Sequence, residues 1–77
     1  MSREDVIEIK ATVMESLSAA LFKVEIENGH RFLGFLARDL RAASTRLSPG
    51  DTIMVRMSPF DLSKGRIVGV VKSKSDL

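Results

Sequence analysis

Apolar residues in this chain recur at every second position, in short runs broken by turn residues. That spacing restricts the fold more than any other feature. Ile7, Ile9, Ala11 and Val13 alternate with Glu8, Lys10 and Thr12, so an extended backbone puts the apolar groups on one face and the polar groups on the other. Phe22, Val24 and Ile26 alternate with Lys23, Glu25 and Glu27 in the same way. The small, weakly polar stretch Ser16-Leu17-Ser18-Ala19-Ala20 suits a loop between the two strands. Asn28-Gly29 follows the second, and both residues tolerate positive φ, which predicts a hairpin into a third strand over about residues 30–37. There the alternation fails, because Phe32, Leu33, Phe35 and Leu36 put apolar groups on both faces. Such a strand is either covered on both sides or offers one face to a ligand.

The next segment changes period. Leu40, Ala43, Ser44 and Leu47 fall at helical spacing behind Asp39, a good N-cap residue, which predicts a helix of two turns over residues 39–47. Its exposed faces would carry Arg38, Arg41 and Arg46 together. Ser48-Pro49-Gly50-Asp51 has Pro and Gly placed for a type II turn. Ile53, Val55 and Met57 then alternate with Thr52, Met54 and Arg56 as a fourth strand. Ser58-Pro59-Phe60-Asp61 reads as a turn, residues 62–65 as continuing loop, and residues 66–71 as a fifth strand. The polar end, residues 73–77, reads as a frayed tail. Three strands, a short helix and two more strands is the order of an OB-fold, an all-β five-stranded Greek-key barrel with its helix between strands 3 and 4. An SH3-like barrel is the competing architecture. Gly34 is expected to supply the bulge or bend that barrel closure needs.

With 77 residues there is room for one small domain, expected to occupy residues 1–72. Cys is 0 and His is 1, which removes disulfides, thiol catalysis, Cys-ligated zinc and multi-His metal sites. No cofactor or metal is expected, acid-base chemistry would hang on His30 alone, and an enzyme is the weakest functional class. The longest apolar run is Ala19 to Phe22, so no membrane span or signal peptide is expected, and a reducing cytoplasm is the default compartment.

Charge divides along the chain. Residues 1–30 hold three bases and six acids, whereas residues 31–77 hold nine bases and four acids. A basic second part suggests a polyanionic partner; a solvated surface is the plainer alternative. In the segment Ser58 to Arg66, Lys64 and Arg66 flank Gly65, whose small size would let backbone N–H groups and two cations approach a phosphate. The alternative is an ordinary connection with Phe60 folded over the barrel end and Asp61 in an Asx turn. Arg41 and Arg46 suit bidentate phosphate binding, or else line a solvated helix face. One of Phe32 and Phe35 would be free to stack on a base, though a core role is the more ordinary reading. His30 reads as a turn-flanking residue, and Glu25 with Glu27 as a solvated pair.

The segment Ser58-Pro59-Phe60-Asp61-Leu62-Ser63-Lys64-Gly65-Arg66-Ile67-Val68, together with Glu4-Asp5, Glu25-x-Glu27-Asn28-Gly29-His30 and Pro49-Gly50-Asp51, resembles bacterial translation initiation factor one. The likeness runs from about residue 4 to residue 68. It implies an S1-like OB barrel, a monomer without enzymatic activity, that binds the small ribosomal subunit in its aminoacyl site. The implied contacts are rRNA of the decoding region and a neighbouring ribosomal protein, and the implied co-workers are the other two bacterial initiation factors. By position, the resemblance implies Arg41, Arg46, Lys64, Gly65 and Arg66 as the rRNA-facing set. Arg38, Lys72, Ser18 and Ala19 are further candidate contacts, the last two in a loop that would lie against the ribosome. The chain departs from the family pattern at Asp39 and Ala42, where lysines are usual. It departs again at Ser44, Phe35 and Phe60, and at Gly69-Val70-Val71, which precedes Lys72 and Lys74. A general single-stranded nucleic-acid binder of cold-shock type and a protein-interaction barrel remain the other readings, the former disfavoured by the absence of Trp and Tyr.

Overall fold

The computed structural model describes residues 6–43 and 45–73. The alternating runs form strands β1 (Ile7–Ser16), β2 (Leu21–Glu25) and β3 (Arg31–Leu36), followed by helix α1 (Arg38–Ala42) and strands β4 (Thr52–Ser58) and β5 (Asp61–Lys72). They close into a barrel in the order β1-β2-β3-β5-β4. Every pairing is antiparallel except that of β3 with β5. This is the five-stranded barrel of an OB-fold, with its helix between the third and fourth strands. A barrel wound strand to strand in chain order would have joined β3 to β4 instead.

β1 serves both halves of the barrel, pairing through Ile7–Thr12 with β4 and through Thr12–Ser16 with β2. Between the pairs Val13↔Val24 and Glu15↔Lys23, Met14 is an extra residue on β1. This bulge bends the strand across the core and carries it beyond Val13, where its simple alternation stops. The β2–β3 hairpin closes with Gly29 N–H on Ile26 O at 2.9 Å and Ile26 N–H on His30 O at 3.0 Å. Gly29 supplies the left-handed residue, at φ +93°. The turn at 48–51 has Asp51 N–H on Ser48 O at 3.0 Å and Gly50 at φ +100°, as a type II turn requires. It docks on β1 beside the bulge, where Val13 N–H reaches Asp51 O at 2.9 Å and Gly50 N–H reaches Val13 O at 2.8 Å. The buried Asp51 carboxylate accepts the Ser48 N–H at 2.9 Å, so its burial is matched by hydrogen bonding.

Val13, Val24, Ile53, Val55 and Ile67 are fully enclosed, with Phe22, Phe32, Leu36, Leu47 and Met57 around them. Each such side chain contributes roughly 1.5–3 kcal/mol by leaving water, and the β-branched members suit a pleated surface.

Several expectations are corrected. The helix spans only Arg38–Ala42, and its N-cap is Ala37, without a side-chain capping bond. Ala37 N–H is held on Ile67 O at 2.9 Å, so the chain enters the helix directly from the β3–β5 ladder and Asp39 falls inside the first turn. After Ala42 the chain leaves the helical path, with Thr45 N–H on Leu40 O at 3.0 Å and Leu47 buried in the core; Ser44 lies outside the described residues. Residues 62–65 are strand rather than loop, lying within β5, where β3 pairs with Lys64 and Gly65 through Leu33↔Lys64 and Gly34↔Gly65. Gly34 makes no bulge, since β3 keeps continuous register with both neighbours. It points inward, where a Cβ would stand 3.0 Å from Ile67 Cδ1. Phe60 does not fold over the barrel end, for it is 83% exposed. Lys74 and the rest of the expected tail beyond Ser73 lie outside the described residues, as do Glu4 and Asp5. No helix among the described residues is long and apolar enough to cross a membrane.

Candidate nucleic-acid interface

The pleat of β3 sends Phe32, Gly34 and Leu36 inward and leaves Arg31, Leu33 and Phe35 outside. In β5, Gly65 and Ile67 point inward, which turns Lys64 and Arg66 outward. The parallel register sets Lys64 beside Leu33 and Arg66 beside Phe35. On the other flank, β2 sets Lys23 opposite Leu33 and Leu21 opposite Phe35. The outer face of β2, β3 and β5 is therefore an apolar strip edged by cations, on the side of the barrel where OB-folds receive oligonucleotides. Phe32 and Phe35, three residues apart in a strand, take opposite faces. Phe32 is 4% exposed and belongs to the core, while Phe35 is 42% exposed and free to stack.

The β4–β5 turn stands at the edge of this face. Ser58 Oγ accepts the Phe60 N–H at 3.1 Å, and Asp61 Oδ1 accepts both the Ser63 N–H at 3.1 Å and the Ser63 hydroxyl at 2.5 Å. This is the Asx turn expected at Asp61. The Ser63 hydroxyl, and after it the Ser63 N–H, hold the Asp61 carboxyl below its ordinary pKa, with Lys64 adding to the effect and desolvation opposing it. His30 Nε2 lies 2.7 Å from Leu62 O. A carbonyl only accepts, so the ring carries its proton on Nε2. The ring also stacks on Phe32 at 5.7 Å, and His30 thus ties the β2–β3 turn to β5.

A second surface forms where the β1–β2 loop meets the chain after the helix. Ser18, Ala19, Arg41 and Arg46 line one groove, with Phe22 and Leu36 beneath. On the other side of α1, Arg38 and Arg66 share a cleft with Arg56 and Asp39. The arginines expected on one helix face are therefore divided between two surfaces, and Arg46 lies beyond the helix. Gly65 is buried, where it brings β5 close to β4 and holds Lys64 and Arg66 outward. Lys72 pairs with Thr52 at the far end of β5, about 26 Å along the strand from Lys64 at ~3.3 Å per residue.

Among the described residues, the ion pairs are Lys23–Glu15 at 3.8 Å, Arg31–Glu25 at 3.0 Å and Arg56–Glu8 at 2.7 Å. Arg38, Arg41, Arg46, Lys64, Arg66 and Lys72 form none. Glu8, Glu15 and Glu25 thus pair with cations outside the set named from the sequence, where Lys10 is unpaired as well, and the cations of that set have no ion pair among the described residues. No cluster able to hold a metal ion occurs among the described residues. The sequence singles out Leu33 only as one apolar residue of the doubly apolar third strand, and it gives Lys23 and Arg56 no role at this face. The broken alternation of β3 was a signal for Leu33, whereas Lys23 and Arg56 acquire meaning only from the strand register.

Comparison with known proteins adds an independent line. The family model described as Translation initiation factor 1A / IF-1 matches residues 2–76. Among solved structures, the solution structure of the translation initiation factor of that type from the Wolbachia endosymbiont strain TRS of Brugia malayi is similar over 94% of this chain and 85% of its own, at 32% identity and a TM-score of 0.70. YjeQ from Thermotoga maritima is similar over 88% of this chain but 24% of its own length, at 25% identity and a TM-score of 0.69. The same barrel therefore also occurs as a portion of a larger protein.

Proposed function

The chain belongs to the translation initiation factor 1A / IF-1 family, and from that premise we propose that it binds the small ribosomal subunit at the aminoacyl site through rRNA of the decoding region. It acts there by steric occupancy, as a cytoplasmic monomer without enzymatic activity. It meets a neighbouring ribosomal protein and works with the other two bacterial initiation factors in assembling the initiation complex. The observation that carries this reading is the set of cations around α1 and β5, Arg38, Arg41, Arg46, Lys64 and Arg66, that form no ion pair among the described residues. Arg41 and Arg46 grip phosphates, Ser18 and Ala19 bring the β1–β2 loop against the same strand, and Lys64 and Arg66 steer the backbone along β5.

Co-sedimentation with isolated small subunits, against free homopolymer RNA as control, tests the reading. Each phosphate neutralised on a single strand contributes a slope of about −0.7 in log K against log salt. With four to six contacts, subunit binding should show a slope of roughly −3 to −4, and a slope near zero would sink the proposal. The exposed Leu33 and Phe35 favour one second reading, a general single-stranded RNA binder that uses the apolar strip. Equal affinity for homopolymer and subunits would select it.

A further inference from the structure

The strand register lines up four outward residues across four neighbouring strands: Glu8, Arg56, Arg66 and Phe35. Within that row, Arg56 and Arg66 are direct cross-strand partners, and like charges so placed repel. Arg38 approaches from α1 and lines the same cleft, as does one carboxylate, Asp39. Glu8 engages Arg56 through Nε at 2.7 Å, while Arg38 and Arg66 have no carboxylate partner among the described residues. Three guanidinium groups thus surround an open cleft whose own acids match them only in part. Arg56 is itself exposed, so its charge is accessible from outside.

We propose that this cleft receives a phosphodiester group of rRNA, as a site separate from the groove of Arg41 and Arg46, so that α1 stands between two phosphate contacts. Arg56 is the residue that makes the cleft a site, and Glu8 is its internal competitor. Glu8 occupies the Nε edge of Arg56 until a phosphate takes its place, and a bridging phosphate relieves the repulsion between Arg56 and Arg66. The inference rests on the rRNA-binding function proposed above and adds to it a specific pair of residues.

A cycle of variants tests it on small subunits. Arg56→Gln should weaken binding about three- to tenfold at low salt and reduce the salt slope by about 0.7 to 0.9. Glu8→Gln should tighten binding severalfold, and that gain should vanish in the Arg56→Gln background. Thermal melting of each variant checks that the barrel persists. If Arg56→Gln leaves the slope unchanged while Arg41→Ala with Arg46→Ala lowers it, the cleft is not a phosphate site and the rRNA reading stands. If neither lowers it, the rRNA reading itself fails. A gain from Glu8→Gln that survives in the Arg56→Gln background also overturns the pairing. Nε signals of Arg38, Arg56 and Arg66, followed by NMR, should shift with a short oligoribonucleotide. A shift with a free nucleoside diphosphate alone would overturn the assignment to RNA.

Discussion

Gly34 and Gly65 lie directly opposite each other across the parallel seam between β3 and β5, and both point into the barrel. The two are not equivalent. A Cβ on Gly65 would stand 2.6 Å from Val55 Cγ1 and 3.2 Å from the Arg56 carbonyl oxygen, whereas a Cβ on Gly34 would meet the tip of Ile67 at 3.0 Å. Gly65→Ala should therefore cost about 1–3 kcal/mol, the usual range for overpacking a core. Gly34→Ala should fall at the low end of that range, about 1 kcal/mol, because the end of the Ile67 side chain can shift, whereas Val55 Cγ1 sits on a short β-branched side chain and the Arg56 oxygen is backbone. The double variant should depart from additivity, as neighbouring substitutions do. Urea denaturation of the three variants decides the order; an equal cost for both single variants would contradict it.

Phe32 and Phe35 are chemically identical and differently placed, which separates fold from binding. Phe32→Ala should cost about 3–5 kcal/mol, enough to unfold most of so small a domain. Phe35→Ala should leave melting nearly unchanged and weaken RNA binding by about 1–3 kcal/mol if a base stacks there. Full binding by a folded Phe35→Ala variant would show that the outer strip is not a stacking platform.

Asp39 makes no capping bond, so its charge can be removed at little expense to the fold. Asp39→Asn and Asp39→Lys should both melt within about 0.5 kcal/mol of the wild type, the ordinary scale of an exposed substitution. Both should tighten subunit binding severalfold at low salt, Lys more than Asn, with the gain shrinking as salt screens the cleft. Binding titrations at two salt concentrations read this directly. If neither variant binds more tightly, Asp39 does not oppose phosphate.

Asp61 provides a pH-dependent readout of the β4–β5 turn. Its folded pKa lies below the ordinary 3.8, so its charged form favours the folded state at pH above that value. The contribution is lost as pH falls from 3.8 through the lower folded pKa. Ser63→Ala removes the hydroxyl donor while keeping the backbone N–H, so Asp61 should titrate closer to 3.8. Carboxyl 13C shifts measured against pH show the change; an unaltered titration would mean that the hydroxyl does not hold the carboxylate.

The strands, their order and the position of the helix were legible because period-two alternation and turn residues act locally. What escaped depends on contacts distant in sequence. Residues 62–65 carry no alternation, and Lys64 and Gly65 are held in β structure by pairing with β3, a strand distant in sequence. Asp39 has the composition of an N-cap, but the bond from Ala37 N–H to Ile67 O starts the helix earlier. The cations of the proposed interface were readable as types, since Arg41, Arg46, Lys64 and Arg66 stand in a basic stretch. Their division into two surfaces by α1 was not, and neither was Arg56, which reaches the cleft only through the register of β4 with β5.

β5, which follows the other four strands in sequence, joins β3 to β4, and its parallel seam pairs Leu33 with Lys64. During synthesis the chain can form the local β1-β2-β3 meander early, but β3 and β4 keep unpaired edges until residues through Lys72 have emerged. Exposed strand edges of that kind invite pairing with other chains. Closure through such distant partners is also slow, on the order of milliseconds to seconds for barrels of this kind. The same strand that aligns Lys64 and Arg66 on the finished molecule therefore sets the interval during which an unfinished one is open to aggregation.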